Sequence, residues 1–476
     1  MRIGIAAMGS VLGNGGGLDI YTRYLVEALA DNDSDSSYVI LVSQGSQKTW
    51  SYRSWPSNVR FVPLYDIEPR RSALVRAAQR LLWRTLALLV PAHHGDPYLA
   101  RQIDSLGLDL IHYPHTVVHP LSIRTPCVLS FWDMQQEYYP QFFTDAELAA
   151  RANTYMPSVE KAWHVIAPSA YTQHTLIERY GTPASKITVI PHGIPKTLQR
   201  TGADEMSRVR TKYNLPDEYV YYPANPWPHK NHARLMAALR VYQDRYGPPP
   251  KLILSGRLRH ERWDAKILAV AAGMEDHVID LGFVPLEDLP ALYSAATLMV
   301  FPSLFEGFGI PLVEAMACGC PIAAADATTI PEITNGAAFL FDPFSPENIA
   351  EAIRLVLHDQ ELRNTLIERG YQQLKRFDWE AIIPQLVGIY ERVVNRALKH
   401  PVRNLAMRCP TLPELPPPPP GETGLSATNF TNDTNSKTTR AIRAIRGKRV
   451  PIRCPTLPEL PPPPPGKFGW PFDTVR

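Results

Sequence analysis

The 476-residue chain predicts an α/β protein of two doubly wound, Rossmann-like units, and three observations carry that expectation. Short apolar runs alternate with helical patterns as far as residue 398. The alternation comes in two series, one opening at RIGIAAM and the other following PHGIP. Each series also holds a glycine loop between strand and helix, GSVLGNGGGLDIY in the first and FEGFGIPLVEAMACG in the second.

In the first series RIGIAAM, YVILVS, VRFVPL, LDLIHY, PCVLSF, HVIAPS and ITVIP read as strands, with helical patterns such as IYTRYLVEALA between them. The second series offers YVYYPA, KLILSG, HVIDLGF, TLMVFPS and PIAAA, with helices in HARLMAALRVYQ and LEDLPALYSAA. The runs are too continuously apolar for a half-exposed sheet and fit parallel strands covered on both faces. FDWEAIIPQLVGIYERVVNRAL reads as a final amphipathic helix. The expected units are residues 1–192, 193–380, a helix over 381–400, and a proline-rich tail over 401–476.

Composition narrows the function classes. Hydrophobic residues at 45% can fill two sizeable cores, and a net charge of +3 is too small to argue for nucleic acid. Five cysteines, odd in number and without paired spacing, point to reduced thiols in a cytosol. Cys318 and Cys320 have no second ligand pair, so they read as small packing residues rather than zinc ligands. MRIGIAAM forms a first strand without a signal-peptide pattern, and no apolar run approaches the roughly 18 residues of a membrane span. The expectation is a cytoplasmic protein, soluble or peripheral on the inner face of the membrane.

The stretch Phe301–Ile322 carries the most chemistry. TLMVF reads as a buried strand, Gly307-Phe308-Gly309 as a tight loop, and Pro311 suits the first helical position. Gly319 stops the helix. Free backbone N–H groups and a helix dipole then stand at the carboxyl end of a strand, a ready phosphate site. Glu306 lies in that loop. Glu314, eight residues on, is expected in the first helical turn, within reach of a hydroxyl on the same ligand. A sugar joined to a nucleoside diphosphate meets both requirements. Taken singly, an acid in a first turn often only offsets the dipole, and a loop glutamate is usually solvated.

The PSLFEGFGIPLVEAMACG segment and the following PIAAAD together resemble the donor-site signature of retaining GT-B glycosyltransferases of family 4, and within it bacterial surface-polysaccharide enzymes, mannosyltransferases included. The resemblance spans roughly residues 1–398. It implies that the final helix crosses back to the first domain and that Gly16 and Gly17, in GGLDIYTRYL, approach the diphosphate. The glycine loop does not fit the dinucleotide fingerprint, because Leu18 fills its last glycine slot. The resemblance also implies that Lys230, in PHKNH, meets the donor phosphates and that Phe283 and Val284 contact the base. Glu306 would orient donor hydroxyls, and the departing diphosphate would help receive the acceptor proton.

Two positions depart from the family pattern. Ala224 stands where many relatives carry a phosphate-binding arginine, and Arg257 is the candidate replacement. Trp132 replaces the usual histidine beside Asp133, which remains. The tryptophan suits sugar stacking or core packing alike. His112 and His115, in LIHYPH, lie nearby, although a lone histidine at a strand end is more often structural.

The resulting expectation is hexose transfer with retention, mannose from GDP-mannose first, onto a lipid-linked or growing polysaccharide acceptor. The nucleotide sugar is then substrate, with no further cofactor, and the lack of an aspartate-rich cluster implies no metal. A sugar-nucleotide epimerase or a phosphorylase would use the same architecture. A membrane- or protein-binding module is the other class. Arg76, Arg80 and Arg84, after Arg70 and Arg71, share a helical face suited to an anionic membrane, with solvated arginines on an ordinary helix as the plainer reading. RCPTLPELPPPPPG occurs at Arg408–Gly421 and again at Arg453–Gly466, which suits polyproline II and an unidentified partner or an inert spacer.

Overall fold

The computed structural model describes residues 1–8, 17–64, 97–256 and 265–399. Gly16, Arg257, the arginine-bearing segment 70–84 and the repeated tail lie outside the described residues.

A first parallel sheet holds β1 (Arg2–Ala6), β2 (Ser37–Ser43), β3 (Val59–Leu64), β4 (Leu110–Tyr113), β5 (Cys127–Ser130), β6 (His164–Ala167) and β7 (Ile187–Val189), in the order β3-β2-β1-β4-β5-β6-β7. A second holds β8 (Val220–Pro223), β9 (Leu252–Ser255), β10 (Val278–Asp280), β11 (Leu298–Phe301), β12 (Ile322–Ala325) and β13 (Phe339–Phe341), in the order β10-β9-β8-β11-β12-β13. All strand pairs are parallel. Each sheet starts in the middle, winds outward, and reverses between its first and fourth strands. Such a reversal opens a crevice beyond the carboxyl ends of the strands.

Period-two alternation sends neighbouring residues of one strand into different cores. Ile3, Ile5, Tyr38, Ile40 and Leu110 share one buried cluster, whereas Val39, Leu41, Ile111 and Leu129 share another on the opposite face of the first sheet. The first cluster is completed by the last helix, Trp379–Lys399, through Trp379, Ile382, Ile383, Leu386, Ile389, Tyr390 and Val393. Their three- and four-residue spacing makes one apolar stripe, and each large side chain so buried contributes about 1.5–3 kcal/mol. The last helix among the described residues therefore covers the first sheet. His112 Nδ1 lies 2.7 Å from the Tyr390 hydroxyl, which fixes the helix at mid-length.

The chain passes between the two domains twice, along adjacent paths. Ile194 N donates to Phe377 O at 3.0 Å, and Gly193 lies so flat on Trp379 that an added Cβ would fall 2.4 Å from its ring.

Two local expectations need correction. The helix after the Gly307–Gly309 loop runs Ile310–Ala317, so Pro311 is its second residue rather than its first, and Glu314 lies beyond the first turn. Gly309, at φ +89°, supplies the left-handed turn that starts the helix one residue early.

Candidate active site

Lys230 and Glu306 converge at the reversal of the second sheet, one following β8 and the other β11. Lys230 ends a short turn, Pro228–Lys230, and Asn231 at φ +62° redirects the chain into the helix His232–Tyr246. Asparagine tolerates this left-handed conformation, and its buried carboxamide donates to Pro302 O at 3.1 Å and Pro343 O at 2.8 Å. Leu304 N donates to His229 O at 2.7 Å, and Tyr222 donates its hydroxyl to Lys230 O at 2.7 Å. These bonds tie the lysine turn to the glutamate loop. The outcome is a Lys230 Nζ to Glu306 Oε1 separation of 2.5 Å in a mostly buried position. Glu306 N donates in turn to Thr328 Oγ1 at 3.1 Å.

Gly307 brings this loop against the first domain. A Cβ there would sit 1.9 Å from Trp132 O and 3.0 Å from Asp133 Cβ, so only glycine permits the approach. Its carbonyl accepts from Ser169 Oγ at 2.8 Å and Thr172 Oγ1 at 3.2 Å. Asp133 thereby joins Lys230 and Glu306. Burial holds the Asp133 carboxyl above its ordinary pKa, with the Glu306 charge adding to the rise, while Gln135 N, Arg151 and Lys230 draw it down. Gly17 faces the same crevice from the first domain, 3.6 Å at its would-be Cβ from Ile310 Cδ1 at the start of the helix Ile310–Ala317.

The other expected residues divide. Gly309 turns the loop into that helix, accepting at its carbonyl from Leu312 N at 2.9 Å, and Pro311 brings no N–H to the first turn. Phe308 is 3% exposed and packs on His192 and Phe377, so its side chain belongs to the core. Glu314 is buried and accepts from Tyr293 OH at 2.6 Å, with burial raising its pKa. The Tyr293 contact occupies one of its two carboxylate oxygens. Phe283 is 54% exposed beyond β10, whereas the Val284 side chain is buried. Both follow Gly282, whose carbonyl accepts from Gly256 N at 2.8 Å. Gly256 in turn backs directly on Ala224 O.

Trp132 donates Nε1 to Pro114 O at 3.0 Å and packs on Tyr21 and His192, which makes it a wall of the crevice. His112 is held by Tyr390 and Ser130 and is structural. Burial pushes His112 and His192 down to about 3 and His115 to about 4, so all three are neutral at physiological pH. Among the described residues no three His, Cys, Asp or Glu side chains gather as a metal site needs.

Sequence reasoning missed Thr328, Tyr293, Ser169, Thr172 and Glu332. Their partners lie 21 to 162 residues away, and no local spacing announces such contacts.

Both domains resemble known proteins. Residues 15–197 match Glycosyltransferase Family 4 and residues 205–373 match Glycosyl transferases group 1. The O-antigen chain mannosyltransferase B of Escherichia coli is 30% identical over 268 residues, 56% of this chain and 70% of its own length. The O-antigen chain mannosyltransferase RfbU of Salmonella typhimurium is 26% identical over 273 residues, 57% of this chain and 71% of its own. Among solved structures, Anabaena Alr3699/HepE in complex with UDP and glucose superposes with a TM-score of 0.60 at 22% identity, covering 82% of this chain and 100% of that one. Two doubly wound domains, a crevice at their strand ends and these relatives together show that the chain belongs to the group 1 glycosyltransferases and has the GT-B fold.

Proposed function

We propose that this glycosyltransferase moves a hexose from a nucleoside diphosphate donor, with retention, onto a lipid-linked or growing polysaccharide acceptor, and that the donor is GDP-mannose. The observation that carries the reading is the Lys230–Glu306 pair at the reversal of the second sheet, backed by Asp133 across the crevice. An ammonium placed there meets charge growing on the departing diphosphate, and the positive end of the dipole of the helix Ile310–Ala317 adds to it. Glu306, released from Lys230 as phosphate takes up the ammonium, is free to accept hydrogen bonds from hydroxyls of the donor sugar and orient them. In this reading the loop of Phe283 and Val284, beyond β10, receives the base.

The mannose assignment rests on the O-antigen mannosyltransferase relatives. A thermal-shift panel of GDP-mannose, UDP-glucose, UDP-galactose and UDP-N-acetylglucosamine tests it. A ligand at a hundred times its Kd stabilises the fold by about 2.7 kcal/mol. GDP-mannose should give the largest shift, and the anomeric configuration of the product, read by NMR, should match the donor. A larger shift with a uridine donor would replace the mannose assignment, and an inverted product would end the retention reading.

A further inference from the structure

Glu332 belongs to the second domain, in the helix Ile330–Thr334 after β12, yet both of its carboxylate oxygens are taken by the first domain. Oε1 accepts from Ala170 N at 2.7 Å and Oε2 from Tyr171 N at 3.1 Å. These are the first two residues of the helix Ala170–Tyr180, whose opening N–H groups have no intrahelical partner. A carboxylate at that end is favoured both by charge-assisted hydrogen bonding and by the helix dipole.

The same helix start grips the catalytic loop from its other side. Ser169, its N-cap, and Thr172 donate to Gly307 O, one residue from Glu306, and Gly307 abuts the backbone of Trp132 and Asp133. Leu304 and Phe305 from the second domain complete the seam against Tyr139 and Tyr171, all four buried. One helical turn thus holds two separate strands' loops of the opposite domain, and the gap between Asp133 and the Lys230–Glu306 pair is set where it does so.

We propose that Glu332 is a positioning residue, a carboxylate latch on the N-terminus of Ala170–Tyr180 that fixes the separation of Asp133 from Lys230 and Glu306 without touching substrate. This rests on the proposed function only for what those three residues do; the latch itself is a statement about domain spacing. Charge is central to it, because the backbone N–H groups can be satisfied by a neutral acceptor with less gain. Glu332 takes no part in holding nucleotide, so donor affinity should survive its loss.

The test compares wild type with Glu332→Gln, Glu332→Ala and, on the opposite side of the same grip, Ser169→Ala combined with Thr172→Val. Small-angle X-ray scattering of the full chain reads domain spacing, and steady-state transfer reads kcat and KM for the donor separately. Glu332→Ala should enlarge the radius of gyration and lower kcat between about tenfold and a hundredfold, the range for a misplacement near 1 Å, with KM for the donor within twofold. Glu332→Gln should fall between. The Ser169/Thr172 variant should give the same split. Unchanged scattering together with unchanged kcat in Glu332→Ala would overturn the latch, as would a rise in KM with kcat intact. If Glu332→Ala does not fold, the Ser169/Thr172 variant decides by the same readings. If no nucleotide sugar is turned over by the wild type, the proposed function fails and the scattering comparison alone decides the latch.

Discussion

Lys230 Nζ stands 2.5 Å from Glu306 Oε1, with the two side chains 17% and 11% exposed, so each charge is the other's main compensation in the crevice. Removing one partner strands the other in a poorly solvated place. Lys230→Ala and Glu306→Gln should each lower transfer by about a hundredfold or more. In a double-mutant cycle the combined variant should lose less than the product of the two single losses, because each single change also strands its buried partner. Strictly multiplicative losses would mean that the contact has no catalytic meaning.

Gly307→Ala should separate the domains. Its methyl would fall 1.9 Å from a carbonyl oxygen of the first domain, and backbone on both sides leaves no flexible side chain to yield. Transfer should drop by on the order of a hundredfold while the thermal shift with donor persists. Full activity in this variant would show that the close approach is dispensable.

Acid should weaken the fold between pH 7.5 and 5.5. His112, His192 and His232 are buried and pushed down to about 3, whereas in the unfolded chain they titrate near 6.5. With the folded pKa depressed, the unfolded state binds more protons throughout the interval. Their stability contribution is whole above about 6.5 and shrinks as pH falls, by up to roughly 1.4 kcal/mol per unit for each histidine. Asp133 and Glu314, raised by burial, oppose this but are fewer. Urea midpoints measured at the two pH values should differ clearly, and equal midpoints would refute the assignment of neutral buried rings.

Tyr390→Phe should cost stability but not chemistry. It removes the hydroxyl 2.7 Å from His112 Nδ1 and leaves a buried ring nitrogen without that partner, a change worth about 1–3 kcal/mol. Denaturant unfolding should register that loss with donor affinity unaltered. A matching loss of donor affinity would tie the final helix to the site itself.

The strands were legible because parallel strands covered on both faces read as apolar runs, and the sequence marks twelve of them. β13, Phe339–Phe341, escaped notice: three residues between a short helix and a turn are too brief for any period to show. Lys230 and Glu306 were legible singly, each beside a turn that ends a strand. Their contact was not, since it depends on β8 and β11 being neighbours, and strand order is set by tertiary packing rather than by local pattern. Glu314 differs from its expected place in the helix. Its spacing from Pro311 suggested the first helical turn, but the helix begins at Ile310, and Glu314 Oε2 accepts from Tyr293, a residue with no local signal at all.

The final helix, Trp379–Lys399, bears on how the chain is made. A ribosome delivers the first sheet early, with Tyr21, Leu25, Val26 and Leu29 of the helix Gly17–Asn32 on the cluster that holds Ile3, Ile5, Leu110 and Val128, yet the rest of that cluster's cover waits until residues 379–393 emerge. The second sheet, complete with β13 at Phe341, has all its strands before that cover exists. The domain begun first is thus finished last, and through most of synthesis part of its apolar face stays open.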